Sequence, residues 1–104
     1  TGAVQDADTL ARWSEGTPLP AETVDHCFTA WSGPVSIEDE IGTIRLTASG
    51  APHLHVYAPA DGSALCFEPV NHLPDALNQA PETMPVLAPG KSASLSMRIE
   101  ATLR

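Results

Sequence analysis

Positive charge is what this 104-residue sequence has least of. Arg12, Arg45, Lys91, Arg98 and Arg104 stand against 13 acidic residues, for a net charge of −8. That shortage removes the basic face through which a protein holds nucleic acid or an anionic membrane. Aromatic residues make up only 5%, so Val, Ile, Leu and Ala have to build most of any core. No apolar run approaches the ~20 residues that a bilayer-spanning helix needs, and no charged-then-apolar leader opens the chain. The sequence begins at Thr1 without a methionine, which fits processing, a cloning boundary or a longer protein cut short. Cysteine is limited to Cys27 and Cys66, both inside apolar stretches and at no metal-ligand spacing. They read as reduced, buried thiols of a cytoplasmic protein rather than as a disulfide. A Gly-rich phosphate loop, a Gly-x-Ser-x-Gly elbow and a Cys-His nucleophile spacing are all missing.

What is present describes one small folded domain. The hydrophobic fraction is 42% and the charged fraction 17%, a balance that folds rather than stays disordered. Ten prolines and seven glycines divide the chain into short elements and exclude long helices. Residues 1–23 read as a lead-in, with a helical turn over Thr9 to Ser14 broken by Gly16-Thr17-Pro18-Leu19-Pro20. Val24 to Trp31 is strand-like and closes at Ser32-Gly33-Pro34. Val35 and Ile37 begin a short strand that runs into Glu38-Asp39-Glu40, an acidic turn without the interleaved ligands of a calcium loop.

Ile44, Leu46 and Ala48 alternate with Thr43, Arg45 and Thr47, the pattern of a half-buried strand. Leu54, Val56 and Ala58 form the next apolar face, and Asp61-Gly62 predicts a tight hairpin into a strand ending at Glu68. The longest alternation comes last. Leu95, Met97, Ile99, Ala101 and Leu103 share one side, which predicts a final strand in a large antiparallel sheet. About six short strands separated by turns give an all-β antiparallel sandwich.

Three groups of residues have chemical interest. The stretch Cys66-Phe67-Glu68-Pro69 puts an acid at a strand end with Leu65 and Phe67 on the buried side. Pro69 disfavours the helical region for Glu68, so the backbone fixes the carboxylate as a general base requires. Pro74 suits the first turn of a short helix, with Asp75 at its positive end. Asp25, at the start of a strand, either accepts hydrogen bonds from a sugar's hydroxyls or caps a turn. His53 and His55 lie two apart on one strand face beside Tyr57. His26 or His72 could complete a metal site with them, but without a clear third ligand the stretch reads as a polar sheet face.

Taken together, these segments resemble the aldose 1-epimerase (galactose mutarotase) family. The resemblance rests on Val24-Asp25-His26-Cys27-Phe28 with Trp31-Ser32-Gly33, on His55-Val56-Tyr57-Ala58-Pro59, on Cys66 through Asn78, and on Leu87-Ala88-Pro89-Gly90. It spans roughly residues 22 to 100 and follows the order of the family's C-terminal part. It implies that residues 24–104 are the C-terminal part of a many-stranded mutarotase-type super-sandwich with an open sugar-binding face. It also implies that Glu68 is the general base, that Asp25 binds sugar hydroxyls, and that no metal or organic cofactor takes part. The reaction implied is interconversion of the α and β anomers of a free aldose. The family's acid histidine lies upstream of the aspartate, and Thr1 to Thr23 contains no histidine.

The expectation is therefore a chain that carries the base and one sugar contact but not the acid. Its exposed sheet would be covered by a missing N-terminal portion or by an oligomer partner. A neutral sugar is favoured over a sugar phosphate, because clustered Arg or Lys is lacking. The competing expectation is a non-catalytic carbohydrate-binding β-sandwich module, for which only Trp13, Trp31 and Tyr57 offer aromatic platforms.

Overall fold

The computed structural model describes residues 3–4 and 13–104, with side chains from residue 13 onward. Two sheets make up the fold. One has the order β1-β2-β5-β6, from Ala3–Val4, Val24–Phe28, His53–Ala58 and Cys66–Val70. The other has the order β3-β4-β7, from Val35–Glu38, Gly42–Ser49 and Ser96–Leu103. All pairings are antiparallel except β1 with β2, where Ala3 and Val4 run parallel beside His26 and Cys27. Part of the lead-in thus joins the first sheet. Of the helical turn expected over Thr9 to Ser14, residues 9–12 lie outside the described residues, and residues 13–15 are helical.

The expected all-β, sandwich-like class is observed, and the reason is visible in register. Val24, His26 and Phe28 on β2 stand opposite Ala58, Val56 and Leu54 on β5, and Phe67 on β6 stands opposite Val56. Period-2 alternation therefore gathers one apolar face across three strands. Val24, Phe28, Leu54, Val56 and Ala58 join Leu46 of the second sheet in a single buried cluster, with Trp13, Trp31, Val35 and Phe67 packed around it. Fully buried side chains such as Val24 and Val56 contribute about 1.5–3 kcal/mol each. His26 belongs to this face, its ring 6.4 Å from that of Trp13 and 6.0 Å from that of Phe28.

Four local expectations are corrected. The Asp61-Gly62 turn is not a tight hairpin: β5 ends at Ala58 and β6 starts at Cys66. The loop between them is organised by Gly62 N–H donating to Pro59 O (3.1 Å) and Ser63 N–H donating to Asp61 (2.9 Å). Leu65 lies in that loop and is exposed rather than buried with Phe67. Pro74 precedes the helical turn α1 (Ala76–Gln79), whose N-cap is Asp75 in a left-handed conformation. There the Asp75 carboxylate accepts from the side chains of Asn78 and Gln79, which fixes it away from the sheet face.

The last correction concerns β7. It is a strand, as its alternation required, but its sheet has three strands rather than many; β7 is the edge, and every residue in it is exposed. Its apolar residues Met97, Ile99 and Ala101 line up with Ala48, Leu46 and Ile44 of β4. Of these only Leu46 reaches the core. Close backbone approach holds the two strands in register: a Cβ at Gly42 would collide with the carbonyl of Thr102. Extents of 49 × 27 × 25 Å and a radius of gyration of 15.0 Å exceed the ~13 Å of a compact chain this long. The excess fits a second sheet that stands partly clear of the first.

Candidate functional site

The opposite face of the first sheet collects the polar residues that the core excludes. Register sets their arrangement. Asp25 stands opposite Tyr57, and Cys27 opposite His55. On the other flank of β5, His55 stands opposite Glu68, Tyr57 opposite Cys66, and His53 opposite Val70. Asp25 and Glu68, 43 positions apart in sequence, therefore share one face on the two strands that flank β5. Two strand spacings and a two-residue offset put their backbones about 12 Å apart. That gap is suited to one sugar ring hydrogen-bonded at both ends.

His55 lies between them. Its Nε2 is 2.7 Å from Asp25 Oδ1, with both side chains partly shielded from solvent. The His55 hydrogen bond, more than any other contact, holds the Asp25 carboxyl below the usual aspartate range, while partial burial opposes the shift. An ionised Asp25 accepts from the imidazole N–H, so one His55 proton is committed to the aspartate. Of the two readings of Asp25, the turn cap is ruled out by its place within β2, and the role of hydroxyl acceptor stays open. Tyr57 is the exposed aromatic on this face, flanked by Asp25 and Cys66. Glu68 is exposed at the centre of β6, and the strand expected to end there continues through Pro69 to Val70 as an edge strand, where a missing proline N–H is tolerated.

The other sequence candidates separate from this constellation. His26 points into the core face and cannot share a metal with His53 and His55. His72 lies beyond β6, its Nδ1 3.1 Å from the Leu73 carbonyl. Among the described residues no group of three His, Cys, Asp or Glu side chains is placed to hold a metal ion. In the acidic turn, Asp39 is spent on the backbone N–H groups of Ile41 and Gly42. Cys27 and Cys66 are both free thiols. Cys27 is buried, which pushes its thiol up, whereas Cys66 is half-buried. Among the described residues no lysine or arginine stands on β2, β5 or β6: Arg45 and Arg98 are on the second sheet, Lys91 and Arg104 follow β6, and Arg12 lies outside the described residues.

A concavity lies elsewhere. A cleft of about 1110 Å³ opens between the two sheets, walled by Trp13, Phe28, Trp31, Val35, Leu54 and Phe67. Polar residues including Glu15, Thr29, Ser32, Ser36 and Glu38 complete its lining. The Trp31 indole N–H is buried there without a hydrogen-bond partner. The polar face of the first sheet, not the cleft, carries the two carboxylates Asp25 and Glu68, on either flank of His55.

Among the described residues no helix is long and apolar enough to cross a membrane. Comparison with models of known protein families, with curated proteins and with solved structures finds no match to this chain.

Proposed function

We propose that the outer face of the first sheet is a sugar-binding face of the aldose 1-epimerase type, acting on a neutral free aldose. Asp25 would bind the sugar's hydroxyls, and Glu68 would be the general base. The observation that carries this reading is the convergence of Asp25 and Glu68 on one face. In the proposed step, the Glu68 carboxylate takes the proton of the C1 hydroxyl. The C1–ring-oxygen bond breaks with its electron pair going to the ring oxygen, which takes up a proton. Rotation about C1–C2 and reclosure give either anomer. Asp25, oriented by His55, holds the ring by its hydroxyls while this happens. Because His55 already donates to Asp25, it orients that carboxylate and is not the acid for the ring oxygen. That acid is expected upstream of Asp25, as the family resemblance implies. That β2, β5 and β6 carry no lysine or arginine favours a neutral sugar over a phosphate ester.

Polarimetry on freshly dissolved α-glucose and α-galactose tests the reading. The 104-residue chain and the intact gene product are compared at equal concentration. The intact product should speed the decay of rotation, and the chain alone should be much weaker. Glu68→Gln, which keeps shape and removes basicity, should lower the rate by about 10²–10⁴-fold. Near-normal turnover in a folded Glu68→Gln protein would remove Glu68 from the base role. Sugar binding with no turnover in either protein would leave a carbohydrate-binding module as the better account.

A further inference from the structure

We propose that β7 is a self-pairing edge, through which two copies of this chain join their second sheets across a two-fold axis at Ile99. This inference is independent of the sugar face. Each sheet edge of the fold can be compared for its protection against pairing. At the outer edge of the first sheet, β6 contains Pro69, which lacks the N–H that a new ladder would need. At the other edge β1 is only two residues long. In the second sheet, β3 has four residues and runs straight into Glu38-Asp39-Glu40. By contrast, β7 has eight residues, Ser96–Leu103, with no proline, glycine or lysine. Its side chains are exposed along its whole length, Ile99 to 60% and Leu103 to 81%. Its only guard of the usual kinds is one charge of each sign, Arg98 and Glu100.

The sequence of the strand selects a second copy as the occupant. An antiparallel pair centred on Ile99 sets Arg98 of each chain against Glu100 of the other, giving two reciprocal ion pairs on the polar face. On the apolar face it sets Ile99 against itself, Met97 against Ala101 and Leu95 against Leu103, while Ser96 meets Thr102. Sliding the register by two residues in one direction brings Arg98 against Arg98, and in the other Glu100 against Glu100. Both are like-charge contacts that oppose pairing. A shift by one residue mixes the polar and apolar faces. One register therefore satisfies charge and hydropathy together. Within a single chain the same two residues make only an exposed contact, Arg98 Nε to Glu100 Oε1 at 3.5 Å. The arrangement is isologous and closed, so it yields a dimer with a six-stranded sheet rather than a fibre.

Sedimentation velocity on the full chain from about 1 to about 500 µM, where small interfaces associate, reads the equilibrium. The result expected is a dimer that grows with concentration and weakens with salt. Arg98→Glu and Glu100→Arg should each weaken association about tenfold or more. An equimolar mixture of the two variants should restore it, because acid then faces base at both positions. Ile99→Lys, at the axis, should abolish the dimer. Far-UV circular dichroism verifies each fold, since Glu100 also stands opposite Arg45 within the chain. Monomer at every concentration, charge variants that dimerise as tightly as the parent, or a mixture without rescue would overturn the proposal.

Discussion

Strands β5 and β7 alternate equally well, yet Leu54, Val56 and Ala58 of β5 are buried while Met97, Ile99 and Leu103 of β7 stand open. The difference lies in neighbours, not in pattern. β5 is flanked on both sides, by β2 and β6, and its apolar side meets Leu46 from the second sheet. β7 is flanked only by β4, and its apolar side reaches beyond what the first sheet covers. Alternation thus specifies that a segment is extended and which side chains share a face. Burial needs a second layer, which no single strand encodes. The same contrast separates the two proposals. The first sheet packs one face into the core and gathers Asp25, His55 and Glu68 on the other, whereas the second sheet ends in an exposed edge strand.

Substitutions can break this contrast or sharpen it. Val56→Ala should cost about 2 kcal/mol, since it leaves a cavity in the cluster between the sheets. The midpoint of urea unfolding measures it, and a cost as small as that of a surface change would refute the description of the core. The acid limb of stability should show a smaller effect. Folding holds the Asp25 carboxyl below its ordinary value of 3.8, so its contribution is present above that value and is lost as pH falls through the lowered one. In unfolding scans between about pH 2 and 5, His55→Phe should flatten that loss by removing the largest cause of the shift. Superimposable acid limbs would show that the His55 contact does not hold the carboxylate. Ile99→Ala should be the mildest of all, within about 0.5 kcal/mol in dilute monomer. A cost near that of Val56→Ala would mean that β7 is covered.

Much of the fold was legible because period-2 alternation survives in short strands. The alternation around Leu46, Val56 and Ile99 placed the strands that contain them. The Glu68-Pro69 junction predicted a strand ending at that acid, but β6 runs on through Pro69 to Val70 and Glu68 sits at its centre. The buried side of β2 and β5 followed from the same pattern. The partnership of Asp25 with His55 did not, because it depends on β2–β5 register across 30 residues. Register is set by turns and packing rather than by either strand alone. A signal did exist: Asp25 with Cys27, and His53 with His55 and Tyr57, occupy the polar phase of their strands. Once β2 and β5 are paired, those phases must share a face. The open edge at β7 agrees with the uncovered sheet expected of a partial sandwich, whereas the small size of its sheet, three strands, is not encoded in the strand's own alternation. The length of the β5–β6 loop was hidden by Asp61-Gly62, whose turn is real but spans Pro59 to Ser63 within a longer connection.

The most direct test of the central claim, that the polar face of the first sheet binds a neutral sugar between Asp25 and Glu68, is an amide ¹H–¹⁵N spectrum of the chain titrated with galactose or glucose. Sugar at about 10–100 mM covers the millimolar affinity of a shallow, incomplete site. The account predicts saturable shifts at Asp25, His55, Tyr57 and Glu68, with Met97 through Leu103 unchanged. Shifts confined to the cleft around Trp31 and Phe67, or a spectrum unmoved by either sugar, would contradict it.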